Sequence, residues 1–403
     1  MNILFMTIGR FESIESHSIY ADLLRCFRNH GHEIYAISPS EHRTGKRAEI
    51  IRENGALILH VEAGNVKGAG NLISKGLAQI SLEPTFVKAI KKHFREVKFD
   101  LILYSTPPIT FSNVVEYVKK RDQAKSYLLL KDIFPQNAVD LGLMSMRGPK
   151  SLIYKYFRNK EKKLYAVSDY IGCMSEANVQ YLLRHNPEVD SEKVEVCPNA
   201  VEVIDRSVDA ETRKRIRDKY GIPQDQTVFI YGGNLGKPQG IPFLIECMRE
   251  AQVVKDAFFL IVGSGNEYRR IESFVGQEKP ANMKLMGILP KDDYDSMVGA
   301  CDVGLIFLDH RFTIPNFPSR LLAYMQAKLP VLAVTDPNTD IGKVIVDGGF
   351  GWWCESDDAS QFAKVVERIA DYDRCGMGTK GFDYLIEHYS VESSYQTIIR
   401  RMY

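Results

Sequence analysis

"YGGNLGKPQG", Tyr231 to Gly240, follows directly on the apolar run Thr227 to Ile230. The chain leaves a buried-type strand through Gly232, Gly233, Gly236 and Gly240, with Lys237 in the bend and no carboxylate, and then opens an amphipathic stretch from Ile241 to Arg249. Strand, glycine bend and helix form the repeating unit of a parallel α/β sheet. Such a bend also suits an anion, because N–H groups at a helix start lack internal partners and glycine lets a large group come close. A plain tight turn accounts for two of these glycines but poorly for four with a lysine.

Working outward, the same alternation fills the chain. Strand-like runs in the first half are Asn2 to Thr7, Glu33 to Ser38, Leu57 to Val61, Asp100 to Ser105, Ser126 to Lys131, Tyr170 to Ser175 and Val194 to Asn199. In the second they are Thr227 to Gly233, Ala257 to Gly263, Met283 to Gly287, Val303 to Leu308, Pro330 to Val334 and Gly351 to Cys354. Phe86, Ile90, Phe94 and Val97 lie on one helical face between strands. At 403 residues the chain exceeds one ordinary core. The expectation is two doubly wound Rossmann-like domains, 1–202 and 203–403, facing across a cleft, the last helix, about 384–403, being a candidate to pack back on the first.

Hydrophobic residues make up 45% of the chain, a globular proportion, and no run approaches the roughly 18 to 20 apolar residues of a membrane helix. "MNILFMTIGRFESIES" turns acidic before a signal-peptide core can form, so a cytoplasmic protein is expected. Seven scattered cysteines without a CxxC pair suggest neither disulfides nor a zinc cage. A net charge of +1 argues against bulk nucleic-acid binding. Residues 1 to 200 nevertheless carry 28 Lys and Arg against 22 Asp and Glu, and "MRGPKSLIYKYFRNKEKKLY", Met146 to Tyr165, supplies that excess. There Ile153, Phe157 and Leu164 share a face, with Arg147, Lys150, Lys155, Arg158, Lys160, Lys162 and Lys163 mostly elsewhere. Such a helix suits an anionic bilayer surface, though charge runs are usually solvated faces.

A second bend, "IVGSGNEYRRIE", contains Gly263 and Gly265, and serves either an anion or simply a turn. In "PNFPSRLLAYMQAKLPV", Ser319 is placed to cap a helix whose N–H groups, with Arg320, favour a diphosphate; an ordinary capped helix with an exposed arginine is the alternative.

The order of these motifs resembles the family 4 retaining glycosyltransferases of the GT-B fold, especially the branch that builds capsule and O-antigen chains. "LLRCFRNHGHEIYAIS" stands for the family's "GHEV" region, "SDYIGCMSE" for "ADRVIAVSE", "CPNAVE" for "IPNGVD", and "GNLGKPQG" for "GRLxxxKG". "VGSGNE", "LMGILPKDDYDSMVGACDV" and "PSRLLAYMQAKLPV" follow in family order. The resemblance implies transfer from a nucleotide diphosphate sugar, expected to be UDP-linked, to a lipid-linked saccharide acceptor with retention, needing no metal or separate cofactor. It implies that Gly233, Asn234 and Lys237 or Gln239 approach the donor diphosphate, with the Gly263 and Gly265 turn. The main chain of Gly287, Ile288 and Leu289 meets the base, and Ser319 and Arg320 lie at the diphosphate. "YLLLKDIFPQNAVDLGL" stands where the branch has "RDLWPE", which points to Asp132 at the acceptor or donor sugar; capping the next turn is its alternative. His17 is a further acceptor candidate, or a structural histidine.

Departures are specific. The family's paired glutamates fall on Pro315 and Ala323, and its glycine-loop arginine and lysine on Asn234 and Gln239. Lys237 and Arg320 are the replacement cations, and Asp309 is a candidate for sugar hydroxyls or a solvated loop residue. Catalytic roles therefore fall to Asp132, Lys237 and Arg320. The loss of both glutamates leaves open a non-catalytic partner that binds a nucleotide sugar for another transferase.

Overall fold

The computed structural model describes residues 1–41, 49–63, 72–149 and 151–403. They form two compact units, one of Met1–Glu202 with Ser390–Tyr403 and one of Val203–Tyr389.

The first unit holds an eight-stranded sheet built from β1 (Asn2–Met6), β2 (Glu33–Glu41), β3 (Glu49–Glu53), β4 (Ala56–Ala63), β5 (Leu101–Ser105), β6 (Lys125–Leu130), β7 (Tyr170–Cys173) and β8 (Val194–Val196). Its order is β3-β4-β2-β1-β5-β6-β7-β8. Every described pairing is parallel except β3 against β4, where Glu49 faces His60. All five residues of β5 are buried, as a strand covered by helices on both faces requires. "EIIRE" of β3 went unread because it is a half-exposed edge with too few apolar residues to register. Helices start where short polar caps allow: Ser18 accepts from Ala21 N ahead of Ile19–Asn29, and Ser175 from Asn178 N ahead of Glu176–His185. The closing helix Val391–Ile399 belongs to this unit. Its Tyr395 stacks on His30 at 4.0 Å and meets the edge of Phe27 at 4.8 Å. The Tyr395 hydroxyl lies 3.1 Å from His32 Nε2.

The second unit holds β9 (Thr227–Asn234), β10 (Ala257–Ser264), β11 (Met283–Met286), β12 (Val303–Phe307), β13 (Val331–Thr335) and β14 (Gly351–Glu355). They lie parallel in the order β11-β10-β9-β12-β13-β14. Phe229, Phe259, Phe307 and Phe362 pack together on one side of the sheet. β9 is in register with β12 only at Phe229↔Val303 and Ile230↔Gly304, so the two strands part beyond Ile230. Strand order reverses at that place, where open α/β sheets bind ligands. The charged stretch after residue 202 folds into helix Ala210–Tyr220, capped by Asp209 and ended by Gly221. Its Arg217 is fully buried, pairs with Asp302 at 2.7 Å and donates to the Ala300 carbonyl at 2.9 Å.

One helical expectation needs correction: Phe86 and Ile90 are buried in Leu72–His93, but that helix stops before Phe94 and Val97, and Phe94 is buried just beyond it. In Ser151–Val167, Ile153, Phe157 and Leu164 share a face, of which Phe157 and Leu164 are buried and Ile153, in the first turn, is 46% exposed. Among the described residues no helix is long and apolar enough to cross a membrane.

Candidate active site

The glycine bend ends β9. Gly233 has φ +118°, open to glycine alone at little strain, and the bend then tightens into a 3-10 turn over Lys237–Gln239 before helix Ile241–Glu250. The Gln239 Oε1 accepts from Asn234 Nδ2 at 3.0 Å and from the Gly236 N–H at 3.1 Å. Gln239 thus braces the bend from inside, while Lys237 stands exposed at its tip. The bend after β10 lies directly against this one. A Cβ on Gly263 would sit 1.9 Å from the Gly233 carbonyl oxygen, and one on Gly265 2.1 Å from that of Leu235. These two glycines are therefore required by backbone-to-backbone packing.

An open pocket of about 330 Å³ lies over the two bends. Gly233, Asn234, Gly263, Ile288 and Leu289 line it, all anticipated from sequence. Val262, Ser264 and Tyr294 line it too and were missed; the first two sit inside the strand end, and Tyr294 belongs to the following helix, Lys291–Gly299. Gly287 is exposed at the end of β11 and Ile288 is 75% exposed beside the pocket. Gly265, Lys237, Gln239, Ser319 and Arg320 are not among its lining residues.

Arg320 opens helix Arg320–Gln326, and its Cζ lies 4.2 Å from the centroid of the Tyr231 ring. Its Nη2 would be 3.7 Å from a Cβ on Gly233, so the guanidinium stands beside the glycine bend. Nη1 is buried and has no hydrogen-bond partner, and Arg320 makes no ion pair among the described residues. Burial works against its charge, but Tyr231, Tyr324 and Tyr294 outweigh that and leave its pKa above the ordinary value. The expected cap is corrected: Ser319 has helical φ and ψ and its hydroxyl caps nothing. Asp309 is likewise neither solvated nor free, being buried and gripped by Arg311 through bonds of 2.8 and 2.7 Å. Burial raises its pKa, yet Arg311 holds it below the usual carboxylate value.

In the first unit Asp132 follows β6. Asn137 Nδ2 donates to both its carboxylate oxygens, at 2.8 and 2.9 Å, and Thr106 Oγ1 accepts from the N–H groups of Lys131 and Asp132. Burial pushes the Asp132 carboxyl up to about 6. Its neighbour Lys131 donates to the Cys197 carbonyl, and burial brings that amine down to about 8. Asp132 does not cap the next helix, Gln136–Asp140, which begins at Pro135 without a side-chain cap. Exposed His17 lies 3.8 Å from Asp22 and 3.9 Å from Glu202, a pair already joined by Arg25.

Two family models match the chain, "Glycosyltransferase Family 4" over residues 18–204 and "Glycosyl transferases group 1" over 212–374. "Probable glycosyltransferase WbjE" of Pseudomonas aeruginosa is 26% identical over 326 residues, 79% of this chain and 78% of that one. WcaI of Escherichia coli K12, named for colanic acid biosynthesis, is 22% identical over 259 residues, 62% of this chain and 61% of its own. Among solved structures, Anabaena HepE in complex with UDP superposes with a TM-score of 0.71 at 14% identity, covering 100% of this chain and 99% of that one. One family model thus accounts for most of the first unit and the other for most of the second, and the chain belongs to the group 1 and family 4 glycosyltransferases, built on the GT-B fold of two Rossmann-like domains.

Proposed function

We propose that this glycosyltransferase takes a sugar from a UDP-sugar and transfers it, with retention and without a metal ion, to a lipid-linked saccharide in surface polysaccharide biosynthesis. The observation that carries the donor side is the glycine-built pocket with a guanidinium beside it that has no acidic partner among the described residues. HepE, described in complex with UDP, supports the choice of nucleotide, and the name of WcaI supports the pathway class.

The roles follow from chemistry. The bond from the anomeric carbon to the diphosphate oxygen breaks, the acceptor oxygen bonds to the same face, and the hydroxyl proton passes to the departing phosphate. Arg320 and Lys237 neutralise the charge that develops there, which is commonly the largest catalytic term. The amides near Gly233 and Gly263 and the side chain of Asn234 hold the diphosphate, with Gln239 and Gly265 fixing the bends and Ser319 alongside. Gly287, Ile288 and Leu289 meet the base. Asp132, oriented by Asn137, receives the acceptor hydroxyl. Release of UDP from a panel of UDP-sugars, with and without EDTA, tests this reading: turnover of one sugar that survives EDTA supports it, and no turnover of any sugar refutes it.

Membrane contact is proposed on the first unit. Leu143, Met146, Leu152, Ile153 and Tyr156 are all at least 38% exposed, a cluster of large apolar side chains within one short segment. The basic character of this segment is partly spent, since Arg158 pairs with Glu161, Lys160 with Glu83 and Lys162 with Glu188. Lys150 lies outside the described residues. Arg147, Lys155 and Lys163 remain to meet anionic lipid, so apolar insertion carries more of the contact than charge does. A peripheral enzyme at the cytoplasmic face of the inner membrane is accordingly proposed.

A further inference from the structure

The Arg320 guanidinium has aromatic company where a carboxylate would be usual. Its Cζ lies 4.2 Å from the Tyr231 ring centroid, a cation–π distance. Tyr231 also donates its hydroxyl to the Asn234 carbonyl at 2.8 Å, so one side chain touches both the cation and the glycine bend. The hydroxyl of Tyr324 fills the gap where β9 and β12 part, accepting from Gly232 N at 3.3 Å and lying 3.1 and 3.0 Å from the carbonyls of Ile230 and Leu305. Tyr294 closes the other side: its hydroxyl oxygen would be 1.7 Å from a Cβ on Gly232, so this glycine is bare because a tyrosine occupies its side-chain space. The three tyrosines come from a strand and two separate helices.

A buried cation without a counter-ion costs several kcal/mol unless something else stabilises it. A carboxylate would do so at the expense of the ligand, competing with any anion for the same guanidinium. An aromatic ring stabilises the cation without bringing a competing negative charge, and Nη1 is buried and unpaired. We infer that Tyr231 and Tyr294, with Tyr324 beneath them, are positioning residues that hold Arg320 without neutralising it, so that the donor's diphosphate is its only counter-charge. This rests on the donor reading above and adds to it Tyr231 and Tyr324, which are not among the pocket's lining residues, and Tyr294, which is.

Calorimetric titration of the full chain with UDP and with uridine, in wild type and in Arg320→Ala, Tyr231→Leu, Tyr231→Phe and Tyr294→Leu, tests it. Tyr231→Leu is expected to weaken UDP about tenfold, within the range of a partly desolvated cation–π contact, and to leave uridine unchanged; Tyr294→Leu, which also removes pocket lining, is expected to weaken UDP more than uridine. Tyr231→Phe, which keeps the ring, should restore most of the UDP affinity. Because Tyr231 is fully buried, its leucine variant is checked for folding by circular dichroism, and Tyr294→Leu stands as the second probe at a more accessible position. If Arg320→Ala weakens UDP while both leucine variants bind as wild type, the tyrosine role is overturned and the donor reading stands. Equal losses for UDP and uridine in the leucine variants also overturn it, since they mark a collapsed pocket. If Arg320→Ala leaves UDP affinity unchanged, the diphosphate role of Arg320 itself fails.

Discussion

At the level of single residues, two groups have their charge set by what surrounds them, in opposite directions. Arg320 is a cation with a buried, unpaired N–H. Arg320→Ala is expected to lower turnover at least about tenfold, the effect of roughly 1.4 kcal/mol in transition-state binding, measured as UDP formation at saturating donor. Asp132 is the opposite case, an acid raised by burial to about 6. Its folded pKa lies above the unfolded value, so the native state binds the proton more tightly, and stability falls as pH rises from about 4 to about 6. Asp132→Asn should therefore be more stable than wild type above pH 6, by about 1–2 kcal/mol, with the difference gone below pH 4. Urea midpoints at the two pH values check this. The Asp132 motif was legible in sequence, but its partner Asn137, five positions on, had no pattern to announce it.

At the scale of elements, helix Ala210–Tyr220 shows how composition misleads. Its charge reads as a solvated boundary, yet Arg217 is fully buried against Asp302 and the carbonyls of Ala300, Pro223 and Gln226. Asp302 would keep Arg213 and the Val228 N–H, so Arg217→Ala should destabilise the second unit by about 3 kcal/mol, the low end for a broken buried pair, seen as an earlier urea transition. Helix Ser151–Val167 misleads in the other direction. Several of its bases are paired, and Leu152 at 70% exposure and Tyr156 at 41% are its outward features. The double variant Leu152→Glu, Tyr156→Glu should lose most flotation with anionic vesicles, whereas raising salt on wild type should lose only part. Flotation that salt alone abolishes would return the contact to electrostatics.

At the scale of the whole molecule, a UDP concentration of 100 times its Kd adds about 2.7 kcal/mol to stability. For a unit of this size that raises Tm by roughly 5–10 °C, and calorimetry of the full chain should show the shift in wild type and a smaller one in Arg320→Ala at the same UDP concentration. The parallel strands and the glycine bends, though not the antiparallel edge β3, are legible in the sequence, because apolar period and glycine spacing are local properties that a strand or turn needs wherever it lies. Gly233, Gly263 and Ile288 in the pocket lining were legible too, since each lies within two residues of a strand's end. What those glycines and cations pack against follows from the assembled fold instead. Gly263 is bare because Gly233 crosses it, Asp309 is spent on Arg311, and Tyr324 reaches Gly232 from 92 positions away. Such contacts depend on which strands become neighbours, and side chains acquire charge partners, or go without them, only after the sheet has assembled.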